Sequence, residues 1–240
     1  MLNKDHFLIL FNSSLWWYGF IGFLIYAAII LFLGKKFIQK NKEPQFRRVW
    51  LWVLIARELV FYFYLFYSGK FTVSHSLPLH LCGLSYLASM IFLYKPKFFY
   101  FEFLLLLGIG GAVQSIYTPE VTGGYSAYFI VDYYISHGTI IITPLYAYFV
   151  LKMQLRDYSW IRIWILAHVI LISVGCVNYF LNSNYIYLCE PPAADNPFIT
   201  GGYPYHLLGF EVLGTIHILL FYVIFKYGIR WKLKPKFYKQ

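Results

Sequence analysis

Charge is scarce in this sequence. Only 12% of its 240 residues are Asp, Glu, Lys or Arg, against about 25% in a soluble domain. That is too little polar surface to cover a water-soluble globule. Acidic residues are the scarcer sign, with 10 against 20 basic ones. Cysteine is nearly absent too: Cys82, Cys176 and Cys189, with no CxxC pair. This excludes a disulfide framework. No Cys/His cluster has metal-ligand spacing, so neither a zinc site nor a cofactor is expected. The glycine pairs at 110–111, 123–124 and 201–202 have no phosphate-loop context. No internal repeat or low-complexity tract divides the chain, so residues 1–240 read as a single domain.

Long apolar runs dominate what remains. The chain is 60% hydrophobic and 23% aromatic. Several runs approach the roughly 20 residues that cross a bilayer. They are continuous rather than alternating, which argues against a transmembrane barrel. Lipid offers no partner for backbone N–H and C=O groups, so the runs should be helices. Seven spans are predicted, at about 15–33, 49–67, 77–94, 98–117, 126–150, 160–181 and 206–228, with helix-end precision. The first is too long and too poorly flanked for a signal peptide. The expected fold is all-α, a polytopic bundle of seven transmembrane helices.

The net charge of +10 raises the question of nucleic acid, and its distribution answers it. Lys35, Lys36, Lys40, Lys42, Arg47 and Arg48 follow span one. Lys95 and Lys97 join spans three and four. Lys152, Arg156 and Arg162 lie between spans five and six, and six more basic residues from Lys226 to Lys239 close the chain. Seventeen of the twenty basic residues thus fall on one side. This is the positive-inside pattern, with the N-terminus outside and the C-terminus cytoplasmic. No nucleic-acid partner and no obligate protein partner is implied. The basic face suits anionic lipid headgroups.

That topology gathers intramembrane polar residues toward the outer half of the bundle. The stretch "LPLHLCGLSYL", residues 77–87, puts His80 and Cys82 near the start of span three, with Pro78 in its first turn. His137 lies about three turns into span five, below Asp132. Asn178 lies near the outer end of span six, and His206 and Glu211 open span seven. A buried free cysteine usually behaves as a small hydrophobe. A thiol becomes a nucleophile when a base or cation stabilises its thiolate, and a helix N-terminus favours that anion. On one helix His80 and Cys82 would point roughly 200° apart. His137 is therefore the better partner for Cys82, and His80 would orient a neighbour or a headgroup. Arg57 is expected to pair with Glu58 or Asp132. Glu211 suits either a structural hydrogen bond or a polar site. His168 and His217 read as packing residues, Glu102 as solvated and His75 as exposed. The long segment 182–204, rich in Pro, Gly and Asn, reads as a structured cap or lid.

"LPLHLC" resembles the signature of the YwaF-type bacterial integral membrane proteins, a family related to the transmembrane protein 164 acyltransferase. Four further motifs keep its order. "GIGGAVQSIYTPE" (108–120) resembles the glycine-rich helix with its Gln114, and "DYYISHG" (132–138) the histidine-bearing helix. "NYFLNSNYIYLCEPP" (178–192) resembles the Asn-Tyr motif, and "GGYPYHLLGFE" (201–211) the entry to the last helix. The resemblance spans roughly 77–212. It implies acyl transfer from a phospholipid to a lysophospholipid through a cysteine thioester, without CoA. Cys82 would be the nucleophile and His137 the base. His80, Asn184 and Tyr185 would support them, and Asn178 is a candidate oxyanion donor. His206 departs from the aromatic residue usual at its position. The implied location is the cytoplasmic membrane of a bacterium, and the implied partners are phospholipids and lysophospholipids. A wet site would make the protein a lipase or thioesterase instead. A transporter or receptor-like binding protein is the alternative outside enzymes.

Overall fold

The computed structural model describes residues 7–192 and 201–228. Seven helices stand among them: α1 (Ser14–Gln39), α2 (Glu43–Tyr67), α3 (Leu81–Tyr94), α4 (Phe98–Tyr117), α5 (Ala127–Phe149), α6 (Ser159–Leu181) and α7 (Tyr205–Gly228). The all-α expectation has one small exception, an antiparallel bridge of Phe7–Leu8 with Glu120–Val121. Five helices, α1, α2, α4, α6 and α7, are long and apolar enough to cross a membrane. With this composition the chain is a membrane protein.

The other two helices depart from the sequence expectation. α3 has 14 residues, so it is about 21 Å long, short of the roughly 30 Å hydrocarbon core. Residues 77–80 are a turn rather than the start of span three. Pro78 folds back so closely that a Cβ on Gly83 would lie 2.9 Å from its backbone. α5 is long enough, with 23 residues, but carries Asp132, His137 and five tyrosines. It is shielded rather than apolar, because α1, α3 and α4 pack around it. α4 is the most buried of the five long helices, and it contains a wide π turn at Leu104–Gly108. No sequence signal marked that turn. The first two helices also reach further than expected, so Lys35, Lys36, Arg47 and Arg48 are helical. Asn41, in the left-handed region at φ 56°, and Pro44 at the head of α2 make the corner.

Hydrogen bonds show which helix ends lie together. At one end Trp16 Nε1 donates to the Ile116 carbonyl at 3.0 Å, and Lys70 Nζ to that of Gly123 at 2.7 Å. At the other, Arg47 binds the Leu93 and Tyr94 carbonyls, and Tyr148 that of Phe225. The helices therefore alternate in direction, and Cys82 belongs to the end opposite the basic one.

Ion pairs tie the bundle internally. Arg57 of α2 holds Asp132 of α5 through two nitrogens and Glu58 through a third. Its guanidinium lies 4.9 Å from the Tyr86 ring centre. Glu102 is a correction. Expected in solvent, it is 1% exposed and takes both guanidinium arms and the backbone N–H of Arg156. A carboxylate that starts a helix among basic loops is drawn inward when an arginine can follow it. Glu43 is buried in the same way, between Arg47 and the Tyr146 hydroxyl. At the surface of that end, Lys226 holds the Asp157 carboxyl below its usual range.

Removing one partner of a buried pair leaves an uncompensated charge, at a cost of about 3–5 kcal/mol. Asp132→Asn should therefore lower the thermal midpoint of the purified protein in detergent markedly. The double variant Arg57→Met, Asp132→Leu should lose much less than its single substitutions sum to. Additive losses would show that the pair is not coupled.

Candidate active site

Cys82 is the second residue of α3, and His80 is its N-cap with extended backbone angles (φ −64°, ψ 152°). The expectation that His80 and Cys82 diverge on one helix is replaced by this geometry, since His80 is not inside the helix. The first N–H groups of any α-helix lack intrahelical partners, and here they surround the thiol-bearing residue. Cys82 is half-buried, whereas Cys176 and Cys189 are exposed. The thiol lies against α4: a Cβ on Gly111 would stand 3.7 Å from Sγ, an ordinary van der Waals contact. One turn further along α4, Ser115 Oγ lies 3.7 Å from the same sulfur.

His137 does not bond Cys82. Its Nδ1–H donates to the Tyr133 carbonyl at 2.8 Å, an arrangement that makes Nε2 the acceptor nitrogen. The Tyr133 ring lies 4.0 Å from the imidazole, centre to centre. The Tyr133 hydroxyl donates to the Ser115 carbonyl at 2.9 Å. Cys82 and His137 are thus linked across α4 and α5 by Ser115 and Tyr133. Sequence reading missed both residues. Each lies one helical turn from a residue it did single out, Ser115 from Gly111 and Tyr133 from His137.

The segment after α6 closes over this end. Asn178 is 3% exposed, and its amide is bonded into the turn that follows α6. Nδ2 donates to the Tyr185 carbonyl, while Oδ1 accepts from Ser183 Oγ and the Tyr185 N–H. Those bonds make Asn178 a clamp on the loop, with one of its two Nδ2–H donors engaged. Asn184 likewise binds Cys189 and Glu190 of its own turn. Tyr185 is fully buried, with its hydroxyl donating to the Val73 carbonyl at 2.7 Å and accepting from the Leu77 N–H at 3.0 Å. His80 Nδ1 accepts from the Ile186 N–H at 3.2 Å, and its ring lies against Tyr185 and Tyr187. His206, completely buried, donates from Nε2 to the Tyr187 carbonyl at 2.9 Å. Burial pushes the Tyr187 phenol above its ordinary range, and that phenol lies within electrostatic reach of Cys82. The cap expected of 182–204 is therefore structured through residue 192, and residues 193–200 lie outside the described set.

Two expected site residues stand apart. Gln114 is exposed and donates to Thr118 Oγ1 at 2.8 Å, on its own helix. Glu211 meets His168 at 3.2 Å and Thr215, on the α6–α7 seam. His168, expected to be a packing residue, is thereby one member of a polar pair, because α6 and α7 place both side chains at the same height. His217 does pack, with its ring 3.0 Å from where a Cβ on Gly110 would be.

Comparison with known families matches the TMEM164 family over residues 6–222. The chain belongs to the TMEM164 family. The match takes in α1 and α2 as well as the five motifs within 77–212, so the whole bundle around Cys82 is a family feature. No curated protein and no solved structure matches the chain.

Tyr185→Phe removes the hydrogen bonds that pin residues 73–77, a loss of about 1–3 kcal/mol where the partners are buried. In a Cys176→Ser, Cys189→Ser background, maleimide labelling of Cys82 should accelerate several-fold. Mass spectrometry of the labelled peptide reads the rate, and an unchanged rate would mean that the cap does not control access.

Proposed function

We propose that this protein is a CoA-independent phospholipid transacylase with Cys82 as nucleophile and His137 as base. The proposed orientation places the Cys82 end and the N-terminus outside, with the basic end in the cytoplasm. The observation that carries the reading is the His137 tautomer. Its Nδ1–H is tied to the Tyr133 carbonyl, which leaves Nε2 free to take a proton, one ring away from a half-buried thiol at a helix N-terminus.

In the first half-reaction the S–H bond of Cys82 breaks and His137 Nε2 takes the proton. The sulfur forms a bond to an ester carbonyl carbon of a diacyl phospholipid. Negative charge that develops on the carbonyl oxygen is met by the unpaired first-turn N–H groups of α3. This role falls to the helix end because Cys82 is the second residue of α3, whereas Asn178 is tied into the cap. The ester C–O bond then breaks, and the leaving lysophospholipid oxygen receives the proton from His137. In the second half-reaction the hydroxyl of another lysophospholipid gives its proton to His137 and attacks the thioester. The C–S bond breaks and the thiolate is restored. The thioester conserves the acyl group, so no CoA or ATP enters. The cap of residues 182–192 keeps water from the thioester, which favours transfer over hydrolysis.

Purified protein incubated with a labelled diacyl phospholipid and an unlabelled lysophospholipid, without CoA, should yield labelled new diacyl lipid by mass spectrometry. Cys82→Ala should abolish it, and His137→Gln should slow it about 10²- to 10⁴-fold. Labelled free fatty acid in place of diacyl product would make the protein a lipase. Unchanged transfer in Cys82→Ala would falsify the covalent mechanism.

A further inference from the structure

Helical serine and threonine side chains in an apolar bundle normally spend their proton on the carbonyl one turn back. Most in this protein do. Ser68, Ser89, Thr139, Thr143 and Ser173 each donate to the carbonyl four residues earlier, at 2.7 to 2.9 Å. Ser85 and Ser159 have buried hydroxyls with no partner among the described residues, and Ser115 is a further exception. Among the described residues its hydroxyl has one partner, the sulfur of Cys82, 3.7 Å away. Its backbone carbonyl, near the end of α4, is one of those left without an intrahelical partner. The Tyr133 hydroxyl takes that carbonyl at 2.9 Å, and Trp16 Nε1 takes its neighbour, the carbonyl of Ile116. The last turn of α4 is therefore fixed from two sides, and with it the backbone from which the Ser115 hydroxyl reaches the sulfur.

We propose that Ser115 is a catalytic residue, whose hydroxyl donates a hydrogen bond to the Cys82 thiolate, and that Tyr133 is the positioning residue that aims it. This rests on Cys82 being the nucleophile. Hydrogen bonds to an ionised group are about twice as strong as neutral ones, so the hydroxyl stabilises the thiolate more than the thiol. Geometry gives Ser115 no competing task. The sulfur packs against this stretch of α4, within van der Waals reach of Gly111 one turn earlier. The titratable groups that face the thiol from other elements are Tyr133 of α5, with His137 stacked behind it, and Tyr187 of the cap. Among the described residues no lysine, arginine or carboxylate is bonded to the sulfur. A hydroxyl is thus the polar group in a position to stabilise the anion directly. Proton transfer still runs from Cys82 to His137, and Ser115 keeps its own proton throughout.

The test is the pH dependence of Cys82 alkylation by iodoacetamide in full-length protein carrying Cys176→Ser and Cys189→Ser. It needs no acyl-transfer activity, so its outcome is independent of the lipid assay. Ser115→Ala should move the alkylation midpoint up by about one pH unit. It should also lower kcat for acyl transfer about tenfold with little change in KM. Ser115→Thr, which keeps the hydroxyl, should restore both. Tyr133→Phe should move the midpoint part of the way, and it carries the test if Ser115→Ala does not hold its fold. An alkylation profile unchanged in both Ser115→Ala and Tyr133→Phe would overturn the proposal. So would an acyl label recovered on Ser115 as a hydroxylamine-resistant ester, which would make Ser115 the nucleophile. Loss of the proposed lipid chemistry alone, with the alkylation shift intact, would refute the transacylase reading and leave the hydroxyl–thiolate bond standing.

Discussion

Polar groups set among apolar helices have no water to turn to, so each must find its partner within the chain. This constraint orders the whole structure. It draws Asp132 and Glu58 onto Arg57, and Glu102 onto Arg156. It also explains why the backbone between α2 and α3 can leave helical form at depth. That segment is covered by the cap and bonded through Tyr185 and Tyr62. A lipid-exposed turn of the same sequence would leave its amides unsatisfied.

The same constraint separates helices with exposed apolar faces from helices that hold polar side chains inside the bundle. α1, α2, α6 and α7 expose large apolar side chains such as Phe32, Phe63, Ile172 and Leu208. α3 and α5 hold Cys82 and His137, and these are the two helices that miss the length and hydropathy of a lone span. α3 stops short so that its N-terminus, with its partial positive charge, lies inside the bundle beside the thiol. α5 tolerates an aspartate, a histidine and five tyrosines because its neighbours shield it.

The cap and the site are one structure. Asn178 folds the chain after α6 into a tight turn. That turn delivers Tyr185 to the segment before α3, Ile186 to His80 and Tyr187 to His206. The α3 N-cap is thereby held by the cap through His80. The motif residues Asn178, Tyr185, His80 and His206 build this closure.

Much of this was legible in the residues. Composition alone demanded a helical membrane protein, because so little charge cannot cover a soluble surface. The motifs carried the family, and they pointed to Cys82 and His137 as the unusual thiol and imidazole. What periodicity could not supply was the path of the chain where it leaves regular structure. Residues 77–80 read as helix because they are apolar, yet Pro78 folds them back. The sequence does not show the turn that ties the Asn178 amide into the cap. Ser115 and Tyr133 were invisible because serine and tyrosine are ordinary in apolar helices, and only contact across α3, α4 and α5 sets them apart. Local sequence determined which segments are helical and which side chains have reactive chemistry. Tertiary packing decided which of those groups meet, because a polar atom's partner in an apolar interior is whatever another helix brings within hydrogen-bond reach.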